Sequence, residues 1–133
     1  MRIAYFDCFA GASGDMLLSS LLDAGLNLDD LRADLSSLDM GPYRLLAQEI
    51  TRQGLSGTHL RVLEGAANWP ARNLPAMEAI IHGSDLPEES KERSLAVFRR
   101  IAGVEAAIHG STLEDVHFHE ISAVDSLVDI VGF

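Results

Sequence analysis

Two histidines near the carboxyl end of the chain are spaced so that they could bind one metal ion. His117 and His119 are two residues apart in the segment H-F-H-E, and Glu120 follows directly. In an extended segment, side chains two positions apart point to the same side, so both imidazoles could reach one ion. Imidazole and carboxylate ligands suit nickel, zinc, manganese or iron. The pattern therefore predicts a metal site without identifying the metal.

Acidic residues follow this pair on a predicted helix. Ser122, Asp125 and Asp129 share the face opposite the apolar positions. Asp125 and Asp129 are one turn apart, and like charges at that spacing repel by about 0.2–0.5 kcal/mol, a conflict that a bound cation or a nearby arginine would remove. Asp129 is thus a further candidate metal ligand. The alternative is a solvated helix face beside two surface histidines.

A second candidate site is the segment D-C-F-A-G-A-S-G-D-M at 7–16, where a predicted strand leads through small residues into a helix. The first backbone N–H groups of a helix have no partner within it and can bind an anion. We therefore predict that Gly11, Ser13, Gly14 and Asp15 bind a phosphate or carboxylate. The segment is neither a Walker A loop nor G-x-G-x-x-G. The alternative is an ordinary turn with a serine N-cap.

Asp7 and Cys8 end the predicted strand 2–7 at the edge where open α/β sheets usually place ligand groups. Asp7 could face a cation, and Cys8 could supply a thiolate to a metal such as nickel. The alternative for Cys8 is a small buried apolar side chain. His59, His82 and His109 have no partner at ligand spacing and are expected to be structural.

The elements that must position these residues form a mixed fold. Leucine spacing, capping residues and glycine stops predict a helix from Ser13 to Gly25, one from Asn27 to Gly41-Pro42, and one from Pro87 to Gly110. Two strands, Tyr43–Arg52 and Thr58–Leu63, form a hairpin. Residues 64–75 are predicted to be a flexible loop, with short helices at 77–82 and after residue 121. We predict a single α/β domain over 1–133, α+β being possible, with a small sheet of about three or more strands packed with several helices.

The amino-acid composition disfavours several classes of function. Twenty acidic against ten basic residues give a net charge of −10, which disfavours binding to nucleic acid or an anionic membrane surface. No apolar stretch is long enough for a membrane helix, and no secretory signal is visible. The single cysteine excludes an internal disulfide. These features predict a cytoplasmic protein.

The two motifs, read together, resemble the signature segments of the LarC family, the nickel-insertion proteins of nickel-pincer cofactor biosynthesis. D-C-F-A-G-A-S-G-D-M and H-F-H-E-I-S-A-V-D-S-L-V-D-I-V-G occur in the right order. The segments R-Q-G-L-S-G-T at 52–58 and 86–102 are also similar to that family. The resemblance covers nearly the whole chain.

This resemblance implies insertion of Ni²⁺ into pyridinium-3,5-bisthiocarboxylic acid mononucleotide, forming one carbon–nickel and two sulfur–nickel bonds, accompanied by CTP hydrolysis. Forming the carbon–nickel bond removes a ring proton, for which Glu120 and Asp125 are the candidate acceptors. It further implies that the chain is the amino-terminal part of a longer protein, whose missing carboxyl-terminal domain binds CTP with Mg²⁺ or Mn²⁺. A homo-oligomer is possible. Many members carry a histidine-rich segment that is replaced here by A-A-N-W-P-A-R-N-L-P.

Two other function classes remain open from the sequence. A metal-dependent phosphohydrolase could use the same glycine loop with Mg²⁺ or Mn²⁺. A non-catalytic assembly module could use the polar stripe to contact the missing domain or another subunit.

Overall fold

Five helices and one β-hairpin make up the fold in a computed structural model that describes residues 3–65, 72–116, 118 and 124–133. In chain order the elements are α1 (Gly14–Asp23), α2 (Leu28–Leu35), β1 (Tyr43–Arg52), β2 (Leu55–Glu64), α3 (Leu74–His82), α4 (Glu88–His109) and α5 (Val124–Gly132). The mixed α/β class predicted from the sequence is confirmed. Of the predicted loop at 64–75, residues 66–71 lie outside the described ones, while Glu64 ends β2 and Leu74 begins α3.

Helix α1 begins and ends where the sequence predicts. Ser13 is its N-cap residue, and Gly25 follows its last turn with a φ of +105°. The Leu26 N–H donates to the Leu21 carbonyl at 2.9 Å, which closes the helix end around the glycine. Its apolar face is anchored by Leu18, which is fully buried.

Strands β1 and β2 form an antiparallel hairpin joined by Gln53 and Gly54. Both turn residues have positive φ, 51° and 81°, as a tight two-residue hairpin turn requires. Strand β2 therefore starts at Leu55, three residues earlier than the sequence pattern predicts. The two glycines of R-Q-G-L-S-G suggested a longer connection than the chain uses.

The sheet is smaller than expected, because residues 3–7 form no strand. Among the described residues the sheet has only two strands, β1 and β2. Both outer edges already have helix partners: Ser19 of α1 accepts the Leu60 N–H at 2.9 Å, and Arg32 of α2 donates to the Leu45 carbonyl at 2.5 Å. The apolar segment does not pair with either edge, and Tyr5 is 87% exposed. The predictions of a strand at 2–7 and of three or more strands are wrong.

The other helices are delimited by local signals. Asn27 caps α2 by accepting the Asp29 N–H at 2.7 Å, but α2 ends at Leu35, before the predicted Gly41-Pro42 stop. Helix α3 begins three residues before the predicted start, and its N-cap residue Asn73 accepts the Ala76 N–H at 3.1 Å. Helix α4 begins at the residue after Pro87 and ends at His109, before the predicted stop at Gly110, whose φ is +63°.

One apolar core joins all of these elements. Both strands and all five helices contribute fully or nearly fully buried side chains to it, among them Leu18, Leu35, Leu45, Leu60, Met77, Ile81, Phe98, Leu127 and Val128. Burial of such side chains is the main stabilising contribution to folding. The core therefore fixes α1 and α5 against each other, and this contact builds the candidate site.

Candidate functional site

The amino-terminal end of α1 lies directly against α5, where Gly14 faces Asp129. A Cβ atom on Gly14 would be 2.4 Å from the Asp129 Cβ and 2.8 Å from its Cγ. Only glycine permits this approach. Gly14 of the first motif thus leaves space for a carboxylate of the protein itself. The sequence pattern had predicted that Gly14 binds an external ligand.

Asp129 occupies an unfavourable place for a negative charge. Its Oδ1 is buried and has no hydrogen-bond partner within the described residues. Burial, followed by repulsion from Asp15 and Asp125, raises the pKa of Asp129 to about 6, while a hydrogen bond from the Asp15 N–H opposes this shift. The predicted conflict between Asp125 and Asp129 is therefore present, strengthened by a third carboxylate. Either a proton or a cation would relieve it.

The side chain of Asp15 occupies the place predicted for a bound anion. The Asp15 carboxylate accepts the Met16 N–H at 2.8 Å and also the Ser13 hydroxyl hydrogen. Ser13 is the N-cap residue of α1, but its side chain makes no capping bond. With the Asp15 N–H directed to Asp129, the start of α1 already binds two carboxylates. An incoming phosphate would meet these negative charges unless a cation lay between them.

The remaining residues of the first motif form an exposed turn. The Gly11 N–H donates to the Cys8 carbonyl at 2.9 Å, and Gly11 has a φ of +86°. Asp7 and Cys8 are both exposed, and no strand end positions them. Burial of Cys8 as an apolar side chain is therefore wrong. Within the described ranges, no three side chains of histidine, cysteine, aspartate or glutamate come together in a metal-binding group.

The histidine pair precedes α5 in the sequence. His117, His119, Glu120 and also Ser122 lie outside the described residues, so their predicted roles stay predictions. Phe118, between the two histidines, is buried, and its ring centroid is 6.4 Å from that of Phe98.

The start of α5 is held by a carboxylate at the end of β2. The Val124 N–H donates to the Glu64 Oε1 at 2.9 Å. A carboxylate in this place stabilises the positive end of the helix dipole. This bond joins the end of β2 to the helix that carries Asp125 and Asp129.

An open groove runs from Asp15 along α1 to the hairpin. It has a volume of about 520 Å³, and its polar lining includes Ser13, Asp15, Ser20, Arg52, Thr58 and His59. Sequence reasoning missed this groove and assigned His59 a structural role. The only signal for it in the sequence is the segment R-Q-G-L-S-G-T, which contains Arg52 and Thr58.

Fold and site together define a small mixed α/β domain in which an acidic cluster and a groove meet at the start of α1. The family described as "Nickel insertion protein" matches residues 4–133 of the chain. The chain therefore belongs to the nickel insertion protein family. This confirms the resemblance found in its two motifs.

Individual relatives agree with this assignment. The chain is 49% identical over 134 residues to the pyridinium-3,5-bisthiocarboxylic acid mononucleotide nickel insertion protein of Desulfitobacterium hafniense, covering 99% of this chain and 33% of that protein. It is 52% identical over 133 residues to a putative nickel insertion protein of Thermomicrobium roseum, covering 99% and 32%. A protein of Synechococcus elongatus with the same description is 45% identical over 132 residues, covering 98% and 33%.

Three further findings concern the length of the relatives, the solved structures and the helices of the chain. The chain spans about a third of the length of these curated relatives. No solved structure was found to match it. Across the part of the chain that the structure describes, no helix is long and apolar enough to cross a membrane.

Proposed function

We propose that this domain binds Ni²⁺ and takes part in its insertion into pyridinium-3,5-bisthiocarboxylic acid mononucleotide. The relative from Desulfitobacterium hafniense is named for this reaction. The observation that carries the proposal is the Asp129 carboxylate, which has a buried oxygen without a partner beside two further carboxylates. A divalent cation would neutralise this cluster, and nickel accepts oxygen and imidazole ligands.

We assign the nickel ligands to the end of the chain that includes this cluster. His117 and His119 supply imidazole nitrogens, and Asp129 supplies a carboxylate oxygen. Asp7 and Cys8 are additional candidate ligands from the exposed segment before α1. The backbone position of Asp129 is fixed by the packing of Gly14 against it, so this ligand is held in place before the metal arrives.

Proton removal is the chemical step that the domain's own side chains would perform. The ring carbon that bonds to nickel must lose its proton, and a carboxylate beside the metal can accept it. Glu120 and Asp125 are our candidates. The exposed position of Asp125 on α5, one turn from Asp129, supports its inclusion.

The substrate would lie beside the loop before α1 and in the adjoining groove. Gly11, Ser13, Gly14 and Asp15 are the predicted binding residues. Because the start of α1 carries the Asp15 and Asp129 carboxylates, we infer that any anionic group bound there is bridged by the metal ion.

The full-length protein would complete the reaction as a nickel-insertion cyclometallase in the cytoplasm. We assign CTP, with Mg²⁺ or Mn²⁺, to the additional sequence of the relatives, which are about three times as long as this chain. CTP hydrolysis would supply free energy for nickel insertion.

An assembly role is also supported by a specific observation. Large apolar side chains before α1 are exposed, with Tyr5 at 87% and Phe9 at 93%. Apolar patches of this kind commonly contact other protein surfaces. A contact with the rest of the full-length protein, or with another subunit, would be compatible with nickel binding.

Nickel titration by isothermal calorimetry tests the proposed function. We expect the His117→Ala/His119→Ala variant to bind Ni²⁺ at least about tenfold more weakly, because two of its ligands are removed. His82→Ala is the matched control, since His82 is an exposed histidine at the end of α3. Unchanged nickel affinity in the double variant would overturn the ligand assignment.

A further inference from the structure

The groove between α1 and the hairpin presents backbone and side-chain donors along one edge of β2. The Leu60 N–H points away from β1 and is bound by the Ser19 hydroxyl of α1 at 2.9 Å. Backbone N–H groups alternate in direction along a strand, so the N–H of Thr58 points to the same side as that of Leu60. Thr58 also lines the groove.

The hairpin supplies the groove's positive charge. Arg52 ends β1 and His59 lies within β2, and both line the groove. In the described part of the chain, Arg52 has no carboxylate within ion-pair distance, although the chain carries twice as many acidic as basic residues. A guanidinium, an imidazole and a backbone N–H on one wall form a donor set suited to phosphate.

The opposite wall, formed by α1, has carboxylates that are already hydrogen-bonded. Asp23 accepts the Thr58 hydroxyl hydrogen at 2.8 Å, and Asp15 accepts the Met16 N–H at 2.8 Å. Asp15 belongs both to this groove and to the cluster around Asp129. A ligand in the groove would therefore have its anionic end at the hairpin and its other end near the carboxylate cluster.

We propose that this groove binds the phosphate of the mononucleotide substrate, with Arg52 and His59 as the anion-binding side chains. The proposal rests on the proposed function, because it places the substrate's ring at the Asp15 end, beside the nickel site. It assigns phosphate recognition to the hairpin, where the positive charge lies, and not to the acidic start of α1. A phosphate and a metal-binding ring then occupy opposite ends of one groove.

Calorimetric titration with nicotinic acid mononucleotide, a pyridinium mononucleotide with one ring carboxylate, tests this assignment. We expect Arg52→Gln to weaken its binding at least about tenfold, because a charged hydrogen bond to phosphate is lost, and His59→Gln to weaken it severalfold, because the imidazole donor is lost. Arg44→Gln is the matched control: Arg44 is exposed on the same strand, eight residues and roughly 26 Å away. The control should bind like the unsubstituted protein.

Two further arms separate this inference from the proposed function. Nicotinic acid riboside, which lacks the phosphate, should bind the unsubstituted protein weakly and Arg52→Gln no differently. Arg52→Gln should keep its nickel affinity. Equal binding of riboside and mononucleotide, unchanged mononucleotide binding in Arg52→Gln, or binding of CTP in place of the mononucleotide would overturn the inference. Absence of nickel binding by the unsubstituted protein would instead contradict the proposed function.

Discussion

Among the single residues, Asp129 is the side chain on which the proposed nickel site depends. Its Oδ1 is buried without a described partner, and burial together with Asp15 and Asp125 raises its pKa to about 6. A structural carboxylate is usually stabilised by a hydrogen bond or an ion pair at each oxygen. Asp129 is charged at neutral pH, and this charge lowers the free energy of unfolding, as charges of functional sites often do.

Substitution of Asp129 by asparagine is expected to stabilise the metal-free protein. Since the folded-state pKa of about 6 is above the ordinary value of 3.8, the folded protein binds this proton more tightly than the unfolded chain does. This contribution to stability is complete below pH 3.8 and is lost as the pH rises through 6. At pH 7, Asp129→Asn should raise the free energy of unfolding by about 1–2 kcal/mol, allowing for solvent screening.

Urea unfolding between pH 4 and pH 7 measures this difference. The gain should shrink toward pH 4, whereas Asp34→Asn, an exposed carboxylate of α2, should change stability little at any pH. If Asp129→Asn raised the free energy of unfolding equally at every pH, or lowered it, the Asp129 charge would not be destabilising in the folded protein.

Sequence patterns located Asp129 but not its environment. The i, i+3, i+7 spacing correctly placed Asp125 and Asp129 on one polar face of α5. That Asp129 would be partly buried depends on Gly14, which is more than a hundred residues away in the sequence. Arg52 and His59 were not recognised as groove residues for the same reason, since the groove exists only where α1 meets β2.

At the scale of elements, the contact between α1 and α5 builds the acidic cluster. Gly14 brings the start of α1 against Asp129, and Glu64 of β2 accepts the N–H of Val124 at the start of α5. The carboxylates are thus brought together by packing between helices, and a change in this packing should alter both stability and metal binding.

Replacing Gly14 by alanine tests this contact. The added Cβ would lie 2.4 Å from the Asp129 Cβ, so α1 and α5 must separate. We expect a loss of about 1–3 kcal/mol in the free energy of unfolding and weaker nickel binding. Gly103→Ala, on an exposed stretch of α4 with no neighbouring atom within 4 Å, should instead raise stability by up to about 1 kcal/mol. Thermal unfolding of both variants distinguishes them, and an unaffected Gly14→Ala would refute the close contact.

Elements with strong local signals were predictable, and those that depend on distant partners were not. The ends of α1 and α4 follow from Ser13, Gly25, Pro87 and Gly110, whose effects are local. The apolar run at 2–7 has the composition of a strand, but a strand needs an edge to pair with. Side chains from α1 and α2 already bind both edges of the hairpin.

At the level of the whole molecule, the fold brings the carboxylates around Asp129 and the open groove to one region. Asp15 links the two, because it faces the groove and also acts on Asp129. The family could be recognised from the two motifs, which lie at opposite ends of the chain. The contact between the two motifs could not be predicted from the sequence, because it depends on the apolar core to which all the elements contribute.

The nickel K-edge X-ray absorption spectrum of the nickel-loaded protein shows which side chains bind the metal. We predict scattering from about two imidazoles together with oxygen ligands, with a changed oxygen shell in Asp129→Asn; sulfur scattering would add Cys8 as a ligand. A spectrum without imidazole scattering, or one identical in Asp129→Asn, would contradict a nickel site shared by the histidine pair and the α5 carboxylate.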